Sequence, residues 1–156
     1  MEIFRALGAL VETPSGGLAP VGASLGLGAL PDAAEHTELF AMQLVPYASV
    51  YLSADGRIGG EARDRVAGYW RAVGAEPPAE PDHLTVLLSG YATLVEWEVA
   101  AGASTTAEAA RHRRRVFLFE HLASWLPVYL LKVGELGGPF YAGWARLLSR
   151  ALAAEI

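Results

Sequence analysis

A chain of 156 residues and 16.6 kDa, 53% hydrophobic and 19% charged, has the length of one ordinary domain and enough apolar material for a core, which excludes global disorder. It contains no Cys, so by itself it builds no disulfide, thiolate zinc site, iron–sulfur cluster or cysteine nucleophile. The formal charge of −5 argues against a general nucleic-acid binder, whose affinity rests on neutralising phosphates, and suits cationic partners.

The apolar total leans on Ala and Leu, which lose least on entering a helix, so an all-α protein is expected before any pattern is read. Ile3, Phe4, Leu7, Leu10 and Val11 recur at helical spacing and predict a first short helix ending before Pro14. Residues 13–31 are uncharged and rich in Gly and Pro, and predict a long connection with little regular structure. Asp32 can cap a helix through EHTELFAMQ, after which Pro46 and Asp55-Gly56 break the period. Val66, Tyr69, Trp70 and Val73 form a helical stripe that closes at Gly74, a residue suited to the left-handed position after a helix. Pro81 at a first helical position and the stripe Leu84, Leu87, Leu88, Tyr91, Leu94 and Val95 predict the central helix, ending at Gly102.

Thr105 and Glu108 have capping-box spacing at the head of a helix that carries the basic run Arg111 to Arg115, read as a solvated face. That helix turns apolar through VFLFEHLASW and should end or kink at Pro127. VYLLKV stops at Gly134, and Gly137-Gly138-Pro139 restarts the chain as a last helix with Phe140, Trp144, Leu147, Leu148 and Ala151 on one face. The sum is a single-domain helical bundle of about six helices with long irregular connections, strand content near zero and no internal repeat. The N-terminus MEIFRALGALVETPSGG lacks the basic and apolar regions of a secretory signal, and no run of about 20 apolar residues exists, so a soluble, cytoplasmic protein without membrane insertion is expected.

No dinucleotide or phosphate-binding glycine motif, no HExxH and no GxSxG is present. His36, His83, His112 and His121 are scattered without a ligand partner at i+3 or i+4, so neither a metal nor another cofactor is expected. Glu80-Pro81-Asp82-His83 places two carboxylates and an imidazole at the head of an apolar helix. Its bland reading is N-capping, because acids are stabilised at the positive end of a helix. Its sharper one is a binding site in which Asp82 orients His83 or accepts a cation. Tyr47, Tyr51, Trp125 and Tyr129 lie near Pro-interrupted segments, where rings serve as core or as groove lining.

Three blocks in order carry a family resemblance: Val45 to Leu52 (VPYASVYL), Glu80 to Leu84 (EPDHL), then His121-Leu122 through Trp125-Leu126-Pro127, followed by Pro139-Phe140-Tyr141. Together they resemble the TorD/DmsD/NarJ family of redox-enzyme maturation chaperones, over residues 38–156, leaving 1–37 as a variable N-terminal part. The resemblance implies an all-helical cytoplasmic chaperone, with no enzymatic turnover. It would bind the precursor of a molybdopterin-dependent oxidoreductase, at its twin-arginine signal peptide and/or apoprotein, while the cofactor is inserted and before export. It also implies a client-binding region at Tyr47, Ser49, Tyr51, Glu80, Asp82 and His83, with His121 and Trp125 as neighbours. The N-terminal part is shorter than the family's usual one, which leaves a trimmed groove or one completed by a second subunit, a homodimer. Two rival readings stay open: a small-molecule or nucleotide enzyme using Asp82 and His83 as acid and base, and a permanent helical adaptor subunit.

Overall fold

Leu84, Leu87, Leu88, Tyr91, Ala92 and Leu94 are buried along one long helix, and the other elements arrange themselves around it. The structure, a computed structural model, describes residues 2–103 and 105–156, and of Thr105 only the backbone. In chain order the α-helices are α1 (Glu2–Ala9), α2 (Ala19–Ser24), α3 (Ala33–Thr37), α4 (Ala48–Leu52), α5 (Gly60–Ala72), α6 (Leu84–Ala101), α7 (Thr105–Phe117), α8 (Leu126–Leu136) and α9 (Pro139–Ala153). Among the described residues there is no strand, only an isolated antiparallel bridge between Tyr47 and His83. The fold is all-α, as expected. Among the described residues nine α-helices stand in place of about six, because α2 forms within the uncharged connection and α4 forms after Pro46.

Helix α6 is flanked by α1 and by α7, while α8 and α9 pair with each other and α9 also meets α1. Carbonyls at the end of α1 take further bonds from two sides. Thr85 Oγ1 donates to the Gly8 carbonyl at 2.9 Å and Trp144 Nε1 to that of Leu7 at 2.8 Å. A Cβ on Gly8 would stand in van der Waals contact with that of Leu88 at 3.4 Å, so α1 and α6 lie close here. Asp32 caps α3 through the Glu35 N–H at 2.8 Å, as expected. The capping box of Thr105 and Glu108 falls on the Thr105 side chain and lies outside the described residues.

Two helices widen into π-turns before they stop. Helix α3 continues through Glu38–Gln43, and α7 through Leu118–Ala123. A π-turn interrupts the regular hydrogen-bond ladder and re-aims the chain, a feature common next to functional sites. Three expectations need correction. Pro81 does not open α6, which begins at Leu84, because residues 80–84 pair with the segment before α4. Helix α8 runs through Gly134 to Leu136, since buried Leu130 and Val133 outweigh the cost of about 1 kcal/mol for a helical Gly. Arg114 turns inward from the basic run: its side chain is 16% exposed and bonded to Glu98, Glu155 and the Tyr91 hydroxyl.

Among the described residues no single helix is long and apolar enough to cross a membrane. One bent pair, Thr106–Ala123 with Leu126–Leu136, has the composition, but Phe117, Leu118, Leu122, Leu126 and Leu130 of that pair are buried in the core.

Candidate functional site

Proline at 46 offers no N–H and holds its φ extended, and Tyr47 follows in extended backbone at φ −118°, ψ 124°. This short stretch lies antiparallel to residues 82–84. The Ala48 N–H donates to the Asp82 carbonyl at 2.9 Å, and the Leu84 N–H to the Pro46 carbonyl at 2.8 Å. Asp82 adds a second bond: its Oδ2 accepts the Ser49 N–H at 3.3 Å. Asp82 is therefore a cap, but of α4 rather than of its own helix, whose N-cap position is His83. Ser49 Oγ in turn accepts the Gly59 N–H at 3.0 Å, which ties the approach to α5 into the same unit. Both side chains are closed off, Ser49 at 0% and Asp82 at 1% exposure.

On the outer side of this unit, Tyr47 donates its hydroxyl to Glu80 Oε1 at 3.0 Å and meets His83 edge to face, ring centres 4.8 Å apart. Burial, then the bond to Glu80, pushes the Tyr47 phenol up to about 12, so it stays a donor at neutral pH. Burial holds the His83 imidazole below its ordinary value, against an upward pull from Glu12, Glu80 and Asp82. It is neutral at pH 7.

Behind the Pro46 turn, Tyr51 stacks on Trp125 with centres 5.3 Å apart and planes at 15°, and Tyr129 closes the group edge-on. The polar tips of these rings bond to carbonyls within or just after the two π-turns. Tyr51 Oη donates to Val45 O at 3.0 Å, Tyr129 Oη to Leu44 O at 3.1 Å, and Trp125 Nε1 to His121 O at 2.8 Å. His121 itself is 4% exposed, with its imidazole against Tyr69 and Phe117 and its Nε2 without a partner among the described residues. Burial, then the Arg65 charge, lowers it to about 4.

Of the eight residues expected from sequence, Tyr47, Ser49, Glu80, Asp82 and His83 come together directly. Tyr51 and Trp125 support the loop from behind, and the His121 ring faces the α5–α7 contact instead. Ser49, Asp82, His121 and Trp125 are buried, which leaves Glu80 exposed and Tyr47, Tyr51 and His83 half-exposed. Tyr47 and His83 form one wall of a cleft of about 360 Å³ whose floor includes Val11, Phe40 and Val45 and whose rim carries Glu12. Sequence reasoning missed Glu12. Its only signal was an acid directly after the first apolar stripe, and the fold alone brings it to Tyr47. A larger recess of about 560 Å³ between α4 and α5, lined by Arg57, Gly59 and Arg65 among others, touches none of the eight residues.

The fold and this site define an all-helical protein whose paired motif segments build one rigid unit beside an open cleft. The family model described as "nitrate reductase delta subunit" matches residues 27–130, two thirds of the chain. The chain belongs to that family, the TorD/NarJ group. Among curated proteins it is similar to "Chaperone protein TorD" of Vibrio vulnificus strains YJ016 and CMCP6, 30% identical to each over 95 residues. That stretch covers 58% of this chain and 44% of each relative, so the alignment spans less than half of their length. No solved structure matches significantly.

Proposed function

We propose that this protein is a maturation chaperone for a molybdopterin-dependent oxidoreductase, holding the precursor through its twin-arginine signal peptide, its apoprotein or both while the cofactor is inserted. The observation that carries this reading is family membership joined to the site: the two segments that bear the family resemblance fold into one unit, with Tyr47 and His83 turned toward a cleft and Glu80 on the Tyr47 hydroxyl. The protein acts in the cytoplasm, before export, by binding and release, with no turnover and no cofactor of its own. Tyr47, Tyr51, Glu80 and His83 touch the client. Ser49, Asp82, His121 and Trp125 hold the loops that present them. The division into a variable part at 1–37 and a family-like core at 38–156 belongs to the same reading, as does pairing of two copies to complete the groove.

Co-expression with the precursor of a neighbouring molybdoenzyme gene tests it. The chaperone co-purifies with the immature apoprotein and is absent from the mature, cofactor-loaded enzyme. Persistence in the active enzyme points to a permanent subunit instead, and no association with either form overturns the proposal. Sedimentation of the free protein reports whether two copies pair.

A further inference from the structure

Within the chaperone reading, on which this step rests, we propose that the cleft between residues 11–13 and the Tyr47–His83 pair seats an arginine side chain of the client, with Glu12 as its specificity determinant. The cleft has an apolar floor in Val11, Phe40 and Val45 and a volume of about 360 Å³, room for an extended side chain and its neighbour. Glu12 is the carboxylate among its lining residues, which include the imidazoles of His36 and His83 and no Lys or Arg. Glu12 on the rim and Glu80 on the Tyr47 hydroxyl are exposed, and both act on the charge of Tyr47 and of His83. Neither carboxylate joins an ion pair among the described residues. His83 is neutral and Tyr47 protonated at pH 7, so nothing cationic on this wall offsets them.

An apolar floor beneath uncompensated carboxylates fits a long side chain that buries a methylene stem and leaves its charged end at the rim. A planar guanidinium also lies on the Tyr47 ring and bonds to a carboxylate through two donors, which an ammonium does not. Asp82 is the wrong carboxylate for that task, since it is 1% exposed and committed to the start of α4. Glu12 precedes residue 27, where the family match begins, so this rim belongs to the part of the chain that the match does not reach. The selecting charge therefore lies outside the matched stretch, whereas the Tyr47–His83 wall lies within it.

Calorimetric titration of the 156-residue chain decides it. The probes are a synthetic peptide carrying paired arginines ahead of an apolar stretch, and two counterparts with the arginines replaced by lysine or by glutamine. Wild type binds the arginine peptide best and the glutamine peptide least. Glu12→Gln weakens the arginine peptide about fivefold to tenfold, the scale of a partly exposed ion pair, and erases most of the preference over glutamine. Glu12→Lys abolishes binding, and Glu135→Gln, an exposed carboxylate on α8, changes nothing. Thermal melts of each variant match wild type, because Glu12 is exposed. Wild-type affinity in Glu12→Gln, or wild-type binding indifferent to peptide charge, overturns the assignment. If the peptides fail to bind while the precursor still co-purifies, the cleft proposal falls and the chaperone reading stands. If neither peptide nor precursor binds, both fall.

Discussion

Asp82 spends its carbonyl and its carboxylate on the first two N–H groups of α4. Asp82→Asn retains an acceptor oxygen and is expected to cost within about 1 kcal/mol, whereas Asp82→Ala leaves the buried Ser49 N–H unpaired and costs about 1 to 2 kcal/mol. Client affinity follows the same order, because the effect passes through the Tyr47 loop and not through a lost charge; melts and peptide titration on both variants check this. His121 makes a second prediction at this scale. Its folded-state value of about 4 lies below the 6.5 of an unfolded imidazole, so the unfolded chain takes the proton first. The contribution is fully present above pH 6.5 and is lost as pH falls toward 4, up to about 3 kcal/mol. His121→Leu also removes the unpartnered Nε2, and its stability curve is expected to stay flatter than that of wild type between pH 7 and pH 4.5. Parallel slopes in guanidinium titrations at several pH values count against this account.

At the scale of elements, most of the helices were legible because each must bury a stripe, and a stripe has a period. The α6 stripe holds from Leu84 to Leu94, and Gly74 and Gly102 take the positive φ expected after a helix. The π-turns at 38–43 and 118–123 were not legible, since a widened turn keeps an apolar period almost unchanged and shifts only which carbonyl each N–H meets. The site was half legible. Residue types located the two motif segments, but whether Asp82 caps its own helix or another depends on Pro46 to Ala48 lying alongside, a contact over 30 residues away in the chain. Within α6 a close approach occurs at Gly90, where a Cβ would stand 2.6 Å from Cζ2 of Trp70, a ring only 6% exposed. Gly90→Ala is expected to gain helix propensity yet destabilise the protein by about 1 to 3 kcal/mol, through displacement of Trp70. Its tryptophan fluorescence should shift as well; a variant more stable than wild type shows that the ring can yield.

The whole molecule is closed by a charged knot that joins three distant parts of the chain. Arg114 Nε meets Glu98 Oε2 at 2.6 Å, and its Nη1 meets Glu155 Oε2 at 2.8 Å as well as the hydroxyl of fully buried Tyr91. The same Glu155 oxygen accepts the Tyr91 hydroxyl, so α6, α7 and the segment after α9 share one guanidinium. Burial pulls the Glu98 carboxyl up, but hydrogen bonds and charge from Arg114 and Arg111 outweigh it and hold it below the ordinary range. The run RHRRR reads as a solvated face when taken as composition. Helical spacing separates its members: Arg111 and Arg114 turn to Glu98, while Arg115 lies over the exposed Phe119 ring. Arg114→Met is expected to cost about 1 to 3 kcal/mol, because it leaves Glu155 and the Tyr91 hydroxyl without their shared donor; Glu98 keeps Arg111. Glu155→Gln costs less, since its amide still accepts from Tyr91. The double variant separates a knot from three independent contacts: residues sharing one partner couple, so the two losses should fall short of adding by about 0.5 kcal/mol or more. With the guanidinium only 16% exposed, that coupling should persist at 0.5 M salt, where an exposed pair such as Arg65 with Glu61 is largely screened. Strict additivity in denaturant titrations, at either salt concentration, refutes the shared role of Arg114.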